Sequence, residues 1–248
     1  MDNRAMVASL FRAVPDAQFE THCKDIFIRA AAAFGDVPLV VANDGDVTAL
    51  EGTISLQDTQ VLGISMGSSE AGGYVDAQGN IVGWLNELAF APIDLQENAA
   101  CDDWSQDLGC GANYFSQEAA VRLARRAGIL LRHSLSDAEK LKVIQELAAA
   151  GDKRARKVFA TIGCYLGHTI ALYATFYDLK HILLLGRVMS GEGGNIILTE
   201  ALRVLYDEYP DYTGIRLHLP EEKVGRVGQS TAAATLPKIV KPSVCAGN

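Results

Sequence analysis

The sequence of 248 residues lacks the features that mark several special classes of protein. No apolar run approaches the ~20 residues that a membrane-spanning helix needs, so a membrane protein is not expected. Lys and Arg number 22 against 30 Asp and Glu, and the resulting net charge of -8 argues against a nucleic-acid surface. The basic run at residues 153–157 is typical of a solvated helix face.

Cysteine and histidine are also scarce. Five Cys occur at irregular spacing without a Cys-x-x-Cys pair, and no His lies between residues 23 and 132. An odd number of Cys in a chain of this size indicates reduced thiols, and the missing ligands argue against a structural zinc site near Cys101 and Cys110. The N-terminal segment has no uninterrupted apolar core and does not resemble a secretory signal, so a cytoplasmic location is expected.

What the sequence contains is an alternation of helical and strand-like patterns, which indicates an α/β fold. Helices are predicted over 16–34, 116–127, 136–149, 152–177, 193–209 and 224–236. Strands are predicted over 37–42, as a meander within 60–83, and over 181–185 and 215–219. Residues 84–115 read as a long irregular loop, which is often functional, and residues 238–248 as a tail. No repeat or linker marks a domain boundary.

A candidate catalytic carboxylate follows the predicted strand 37–42. Ligands of open α/β sheets bind at the carboxyl ends of strands, so Asp44 there could take a proton from a hydroxyl. Asn43 could orient the same substrate by donating and accepting hydrogen bonds. The alternative is a strand-to-helix turn in which Asp44 or Asp46 caps the helix, and the residues alone leave both interpretations open.

Two further segments offer binding groups. Gly67 and Ser68 open a glycine-rich turn whose amides could hold an anion, although the turn is equally consistent with an ordinary hairpin. Glu70 in this turn opposes a polyphosphate unless its side chain points away. Glu87, at the start of the long loop, could accept hydrogen bonds from a polyol or be an ordinary surface glutamate.

Taken in order, these segments resemble the ROK family of sugar kinases and repressors, within the actin, hsp70 and hexokinase superfamily. PLVVANDGDVTAL is similar to the family's strand and Asn-Asp segment, and VLGISMGSSEAGG to its second phosphate loop. GWLNELAFAPID resembles the segment whose Glu binds sugar hydroxyls. The run from ATIGCYLGHTIALY to LLLGRVMSGEGG resembles the long helix, strand and turn beside the adenosine. The resemblance covers roughly residues 35–237.

The resemblance implies a ribonuclease H-like (actin/hexokinase-type) α/β sheet flanked by helices, within a kinase region of residues 1–237 that is mostly the C-terminal lobe. It implies ATP and Mg²⁺ as cofactors, with the metal held mostly by the phosphates, and a sugar or amino sugar as substrate. A homodimer is compatible with the apolar helix around residues 158–177. The implied roles are Asp44 as general base, Asn43 and Glu87 as sugar contacts, and Gly67, Ser68 and Gly186 as nucleotide contacts.

Several departures from the family pattern favour an alternative. The first phosphate loop, of Asp-x-Gly-Gly-Thr type, is absent, so the chain is expected to be part of a longer enzyme. The family's zinc pattern is reduced to Cys110-Gly111, because Phe90, Leu108 and Phe115 stand at the other ligand positions. A non-catalytic sugar-sensing or regulatory domain with the same fold is therefore the second hypothesis.

Overall fold

The structure is a computed structural model that describes residues 3–5, 11, 13–82, 84, 86–219 and 222–237. The chain divides into two compact units, one formed by Met1–Asn43 with Thr231–Asn248 and the other by Asp44–Ser230. Within the described ranges, no helix combines the length and the apolar character needed to cross a membrane.

The smaller unit contains the predicted N-terminal helix in interrupted form. Its segments are α1 at Asp16–Gln18, a π-helical turn at Phe19–Cys23 and α2 at Ile26–Ala33. The predicted strand 37–42 is wrong, because this extended segment pairs with no strand of the described chain. The side chain of Asn3 instead donates to Leu39 O at 3.1 Å and accepts from Val41 N at 2.8 Å. Val37 and Val40 are 47% and 43% exposed, so the run is apolar without being buried.

The larger unit is built on a mixed four-stranded sheet with strand order β2-β1-β3-β4. The strands are β1 at Val61–Met66, β2 at Glu70–Val75, β3 at His181–Leu185 and β4 at Arg216–His218. β1 pairs antiparallel with β2 and parallel with β3, and β4 pairs parallel with β3. The predicted strands of this unit are confirmed, except that the last strand of the meander is a single bridge between Val75 and Ile81.

Helices flank this sheet and enclose its core. They are α3 at Asp44–Leu56, α4 at Gln117–Arg126, α5 at Asp137–Ala149, α6 at Lys153–Tyr173 and α7 at Gly191–Glu208, and α8 follows at Glu222–Thr235. The Ser-x-x-Glu pattern of Ser136 and Glu139 in the sequence predicts a capping box, and the structure has it at the start of α5. Fully buried side chains of α6, such as Phe159 and Ile170, share one core with Leu62 and Ile182 of the sheet. The predicted α/β class, a sheet flanked by helices, is therefore confirmed.

Helix α3 lies directly on the backbone of β1 and β2 because glycines remove the side chains at the contact. A Cβ on Gly63 would lie 2.5 Å from the backbone nitrogen of Ala49, and a Cβ on Gly73 would overlap the backbone nitrogen of Asp46. Gly63 and Gly73 are opposite each other in the β1–β2 ladder. Side chains at these two positions would push the helix away from the sheet.

We expect Gly63→Ala to destabilise the protein by about 1–3 kcal/mol, because the added methyl group overpacks the contact with α3. The measurement is the midpoint of urea unfolding. Gly214→Ala is the matched control, since a Cβ on Gly214 would meet nothing within 4 Å. An equal loss of stability in the two variants would contradict the role of Gly63.

Candidate functional site

Asp44 is the first residue of helix α3. Its Oδ1 accepts a hydrogen bond from Gly45 N at 3.0 Å, and its carbonyl oxygen accepts one from Thr48 Oγ1 at 2.9 Å. The side chain is exposed, as is that of Asn43 before it. A carboxylate in the first turn of a helix is stabilised by the helix dipole. The local geometry is thus the helix start that the sequence offered as an alternative, and it leaves the carboxylate open to a ligand.

Gly72 of β2 brings the start of α3 and the segment around Glu87 to the same point of the sheet. A Cβ on Gly45 would lie 2.8 Å from Gly72 N, and a Cβ on Gly72 would lie 2.6 Å from Leu88 Cγ. In the chain, Asp44 directly precedes Gly45 and Glu87 directly precedes Leu88. The predicted general base Asp44 and the predicted sugar contact Glu87 therefore each adjoin a residue that packs on Gly72, from opposite faces of the strand, and both side chains are exposed.

The predicted nucleotide contacts also come together. Because β1 and β3 are parallel, their carboxyl ends meet at one edge of the sheet. Gly186 follows β3 with a φ of 98°, and a Cβ there would lie 2.6 Å from the carbonyl carbon of Met66, the last residue of β1. This contact requires glycine and places Gly186 beside the turn that begins at Gly67 and continues through Ser68.

Within this turn, the serine amides are better placed for an anion than the glycine amide. Gly67 N donates to Ser69 O at 2.9 Å, and Gly67 O accepts from Gln117 N at 2.9 Å. Among the described residues, no acceptor engages the amides of Ser68 and Ser69, and both residues are exposed. Successive amides of this kind can form a concave site for an anion.

Glu70 does not oppose an anion at this turn, because its side chain points into the core. It is 4% exposed, and Tyr173 donates its hydroxyl to Glu70 Oε1 at 3.2 Å. A Cβ on Gly111 would lie 3.4 Å from Glu70 Cδ, which places the carboxyl against the long loop. Burial raises the pKa of Glu70 to about 8, so the group is mostly neutral at pH 7.

Two buried polar residues that the sequence did not single out lie beside the predicted carboxylates. Asp46 and Asn86 are 7% and 8% exposed, and neither Asp46 Oδ1 nor Asn86 Nδ2 has a hydrogen-bond partner in the described chain. Burial raises the pKa of Asp46 to about 6, with nearby Asn86 opposing the shift and Asp44 adding to it. Tyr177 donates to Asn86 Oδ1 at 2.9 Å. The sequence indicated Asp46 only as an alternative helix cap, and Asn86, an amino acid type common at positive φ, has a φ of 50°.

The loop around Cys110 carries apolar side chains at the family's zinc-ligand positions. Phe115 is fully buried in the core, Leu108 is 60% exposed, and Phe90 packs on Trp104 with ring centroids 5.4 Å apart. In the part of the chain that the structure describes, no three His, Cys, Asp or Glu side chains are grouped to hold a metal ion.

The charge around the candidate site is negative. Between Arg29 and Arg122 the sequence has no Lys, Arg or His, and this segment contains Asp44, Ser68 and Glu87. Arg187 follows Gly186, and its exposed side chain supplies a positive charge at the carboxyl edge of β3. A sugar needs no such charge, whereas a polyphosphate needs amides, a metal ion or a cation of this kind.

Comparison with known proteins supports the fold. No family model and no curated protein sequence matches the chain. A ROK family glucokinase from Streptomyces griseus, solved with glucose and AMPPNP, superposes with a TM-score of 0.65 at 17% identity, over 87% of this chain and 72% of its own. A ROK family transcriptional regulator, a homologue of the E. coli MLC protein, gives 0.69 at 20% identity, over 86% of this chain and 55% of its own.

A third solved structure, the ROK hexokinase from Thermus thermophilus, has a TM-score of 0.64 at 20% identity, over 84% of this chain and 68% of its own. Identities this low show the fold alone. The chain therefore has the fold of ROK family sugar kinases and regulators, which confirms the fold that the sequence predicted.

The buried carboxyl of Glu70 predicts a pH-dependent stability. An unfolded Glu releases its proton near pH 4.5, while folded Glu70 keeps it up to about pH 8, so stability decreases as the pH rises between these values. The expected loss is on the order of a few kcal/mol. Glu70→Gln should flatten this part of the stability curve, measured by urea unfolding at pH 5.5 and 8.5. Exposed Glu97→Gln is the control, and equal slopes for both variants would contradict the assignment.

Proposed function

We propose that this chain binds a sugar at Asp44 and Glu87, and that Asp44 is the general base for ATP-dependent phosphorylation of a sugar hydroxyl. The observation that supports this function is the position of Gly72. It adjoins both carboxylate segments and lies three residues after Ser69 along the chain, which is at most about 10 Å in an extended strand. A sugar beside Gly72 would therefore lie within reach of a phosphate held at the turn.

In the proposed mechanism, Asp44 accepts the proton of the attacking hydroxyl, and Asn43 and Glu87 orient the sugar by hydrogen bonds to its other hydroxyls. ATP with Mg²⁺, when bound, supplies the phosphoryl group that the sugar oxygen takes up. The amides of Ser68 and Ser69, which bind no other acceptor in the described chain, suit the phosphates. Because Gly186 has no side chain, it leaves room for the nucleotide at the carboxyl ends of β1 and β3. Arg187 adds a positive charge there.

A second candidate function is sugar sensing without catalysis. The sequence contains no Asp-x-Gly-Gly-Thr loop, and the cation-free segment around the site offers little to hold a polyphosphate. Carboxylates and amides suffice to bind a neutral polyol, so sugar binding requires less of this chain than phosphoryl transfer does. A ROK family transcriptional regulator has the same fold, which is consistent with a regulatory role.

We expect Asp44→Asn to lower kcat by about 10²–10⁴, because the hydroxyl loses its base, while the KM for the sugar changes only a few-fold. The measurement is a coupled ADP-release assay on the full-length protein with a panel of hexoses and amino sugars. Asp103→Asn, an exposed aspartate on the long loop, is the control and should keep full activity. Absence of sugar-dependent turnover, or an active Asp44→Asn variant, would overturn the catalytic assignment.

Calorimetry separates the two candidate functions. The kinase should bind ATP in the presence of Mg²⁺, and Glu87→Gln should weaken sugar binding by about tenfold without changing ATP binding. Sugar binding with no magnesium-dependent ATP binding would identify a sensor instead. Unchanged sugar affinity in Glu87→Gln would remove this residue from the sugar site under either function.

A further inference from the structure

A polar cavity lies between the long loop and helices α4 and α6, apart from the candidate site. Its volume is about 180 Å³. Residues of the loop, of α4 and of α6 line it, including Asp94, Asn98, Arg122, Arg126, Thr161 and Tyr165. None of the residues in the proposed sugar and nucleotide sites belongs to this wall.

One wall of the cavity carries two positive charges one helical turn apart. Arg122 and Arg126 lie at i and i+4 of α4, and neither is within 4 Å of a carboxylate in the described chain. Like charges at this spacing repel each other, which costs stability unless a counter-charge separates them. An anion between the two guanidinium groups would remove this cost.

Arg122 is held in place by Asn113 and Tyr114, which also line the cavity. Its guanidinium donates to the side-chain and backbone oxygens of Asn113, and its Cζ lies 5.6 Å from the centroid of the Tyr114 ring. Two of its five N–H groups are used in this way, so others remain for a ligand. A fixed guanidinium loses little entropy when it binds an anion, which favours affinity.

The opposite wall carries the carboxylate of Asp94, which accepts hydrogen bonds from neighbouring residues of the protein. Asp94 Oδ2 accepts hydrogen bonds from the hydroxyls of Tyr114 at 2.7 Å and Tyr165 at 3.0 Å, and Asp94 Oδ1 accepts one from Gln96 N at 3.0 Å. Among the described residues, Asp94 forms no ion pair with Arg122 or Arg126. The cavity is therefore positive on one side and rich in hydrogen-bond acceptors on the other.

We propose that this cavity binds a small hydroxylated oxyanion, with its carboxylate or phosphate group between Arg122 and Arg126 and a hydroxyl group toward Asp94. Arginine binds both anion types with paired N–H groups, and Asp94 and Asn98 accept hydrogen bonds from hydroxyls. The site is independent of the proposed sugar kinase function, because its walls share no residue with that site.

The test is calorimetry on the full chain with D-glycerate, glycerol 3-phosphate and uncharged glycerol, in the absence of ATP and hexoses. Arg126→Gln should weaken binding of the anion at least about tenfold, since a charge-assisted hydrogen bond is lost. Arg125→Gln removes the same charge from the neighbouring position, which does not line the cavity, and should change affinity less than about twofold.

The relative affinities of D-glycerate and glycerol 3-phosphate assign the site to carboxylates or to phosphates. Arg122→Gln is the second variant, and circular dichroism shows whether each variant is folded. Failure of both anions to bind at concentrations up to roughly 10 mM would overturn the proposal, as would equal weakening by Arg125→Gln and Arg126→Gln. Equal binding of glycerol would show that the arginines do not recognise the ligand.

Discussion

The candidate site depends on the close approach of helix α3 to the β1–β2 ladder. Gly63 and Gly73 remove the side chains that would separate helix from sheet, and Gly45 continues the contact to Gly72 at the helix start. Glycine loses more backbone entropy on folding than any other residue, so the glycines of β1 and β2 lower the stability of the strands that form this contact. In return, the first turn of α3 and the segment around Glu87 both contact the backbone near Gly72, from opposite faces of the strand.

Three carboxyl groups near this contact are buried, those of Asp46 and Glu51 on α3 and that of Glu70 on the opposite face of β2. Burial raises the pKa of Glu51 on α3 to about 7, that of Asp46 to about 6 and that of Glu70 on β2 to about 8. A buried carboxylate is normally stabilised by a cation, yet no basic residue occurs between Arg29 and Arg122. Among the described side chains these groups form no ion pair, and their raised pKa values make the stability of the segment depend on pH.

Patterns within single elements were enough to predict most of the larger unit from the sequence. The spacing of apolar residues and the capping box located α5, α6 and the sheet strands, because those signals are local. The strand at 37–42 was wrongly predicted, since an apolar run does not show whether neighbouring strands exist to cover it. The burial of Glu70 and the pairing of Tyr177 with Asn86 depend on which helix covers β2, and no spacing in the sequence contains that information.

The negative charge around the candidate site affects a neutral sugar and a polyphosphate differently. Asp44 and Glu87 accept hydrogen bonds, and a neutral sugar gains from them without a counter-charge. A polyphosphate in the same negative segment loses Coulomb energy that the amides of Ser68 and Ser69 offset only in part. A Mg²⁺ ion, Arg187 or a further cation must supply the rest before phosphoryl transfer can occur. Sugar recognition is thus the part of the proposed function that depends least on groups outside this segment.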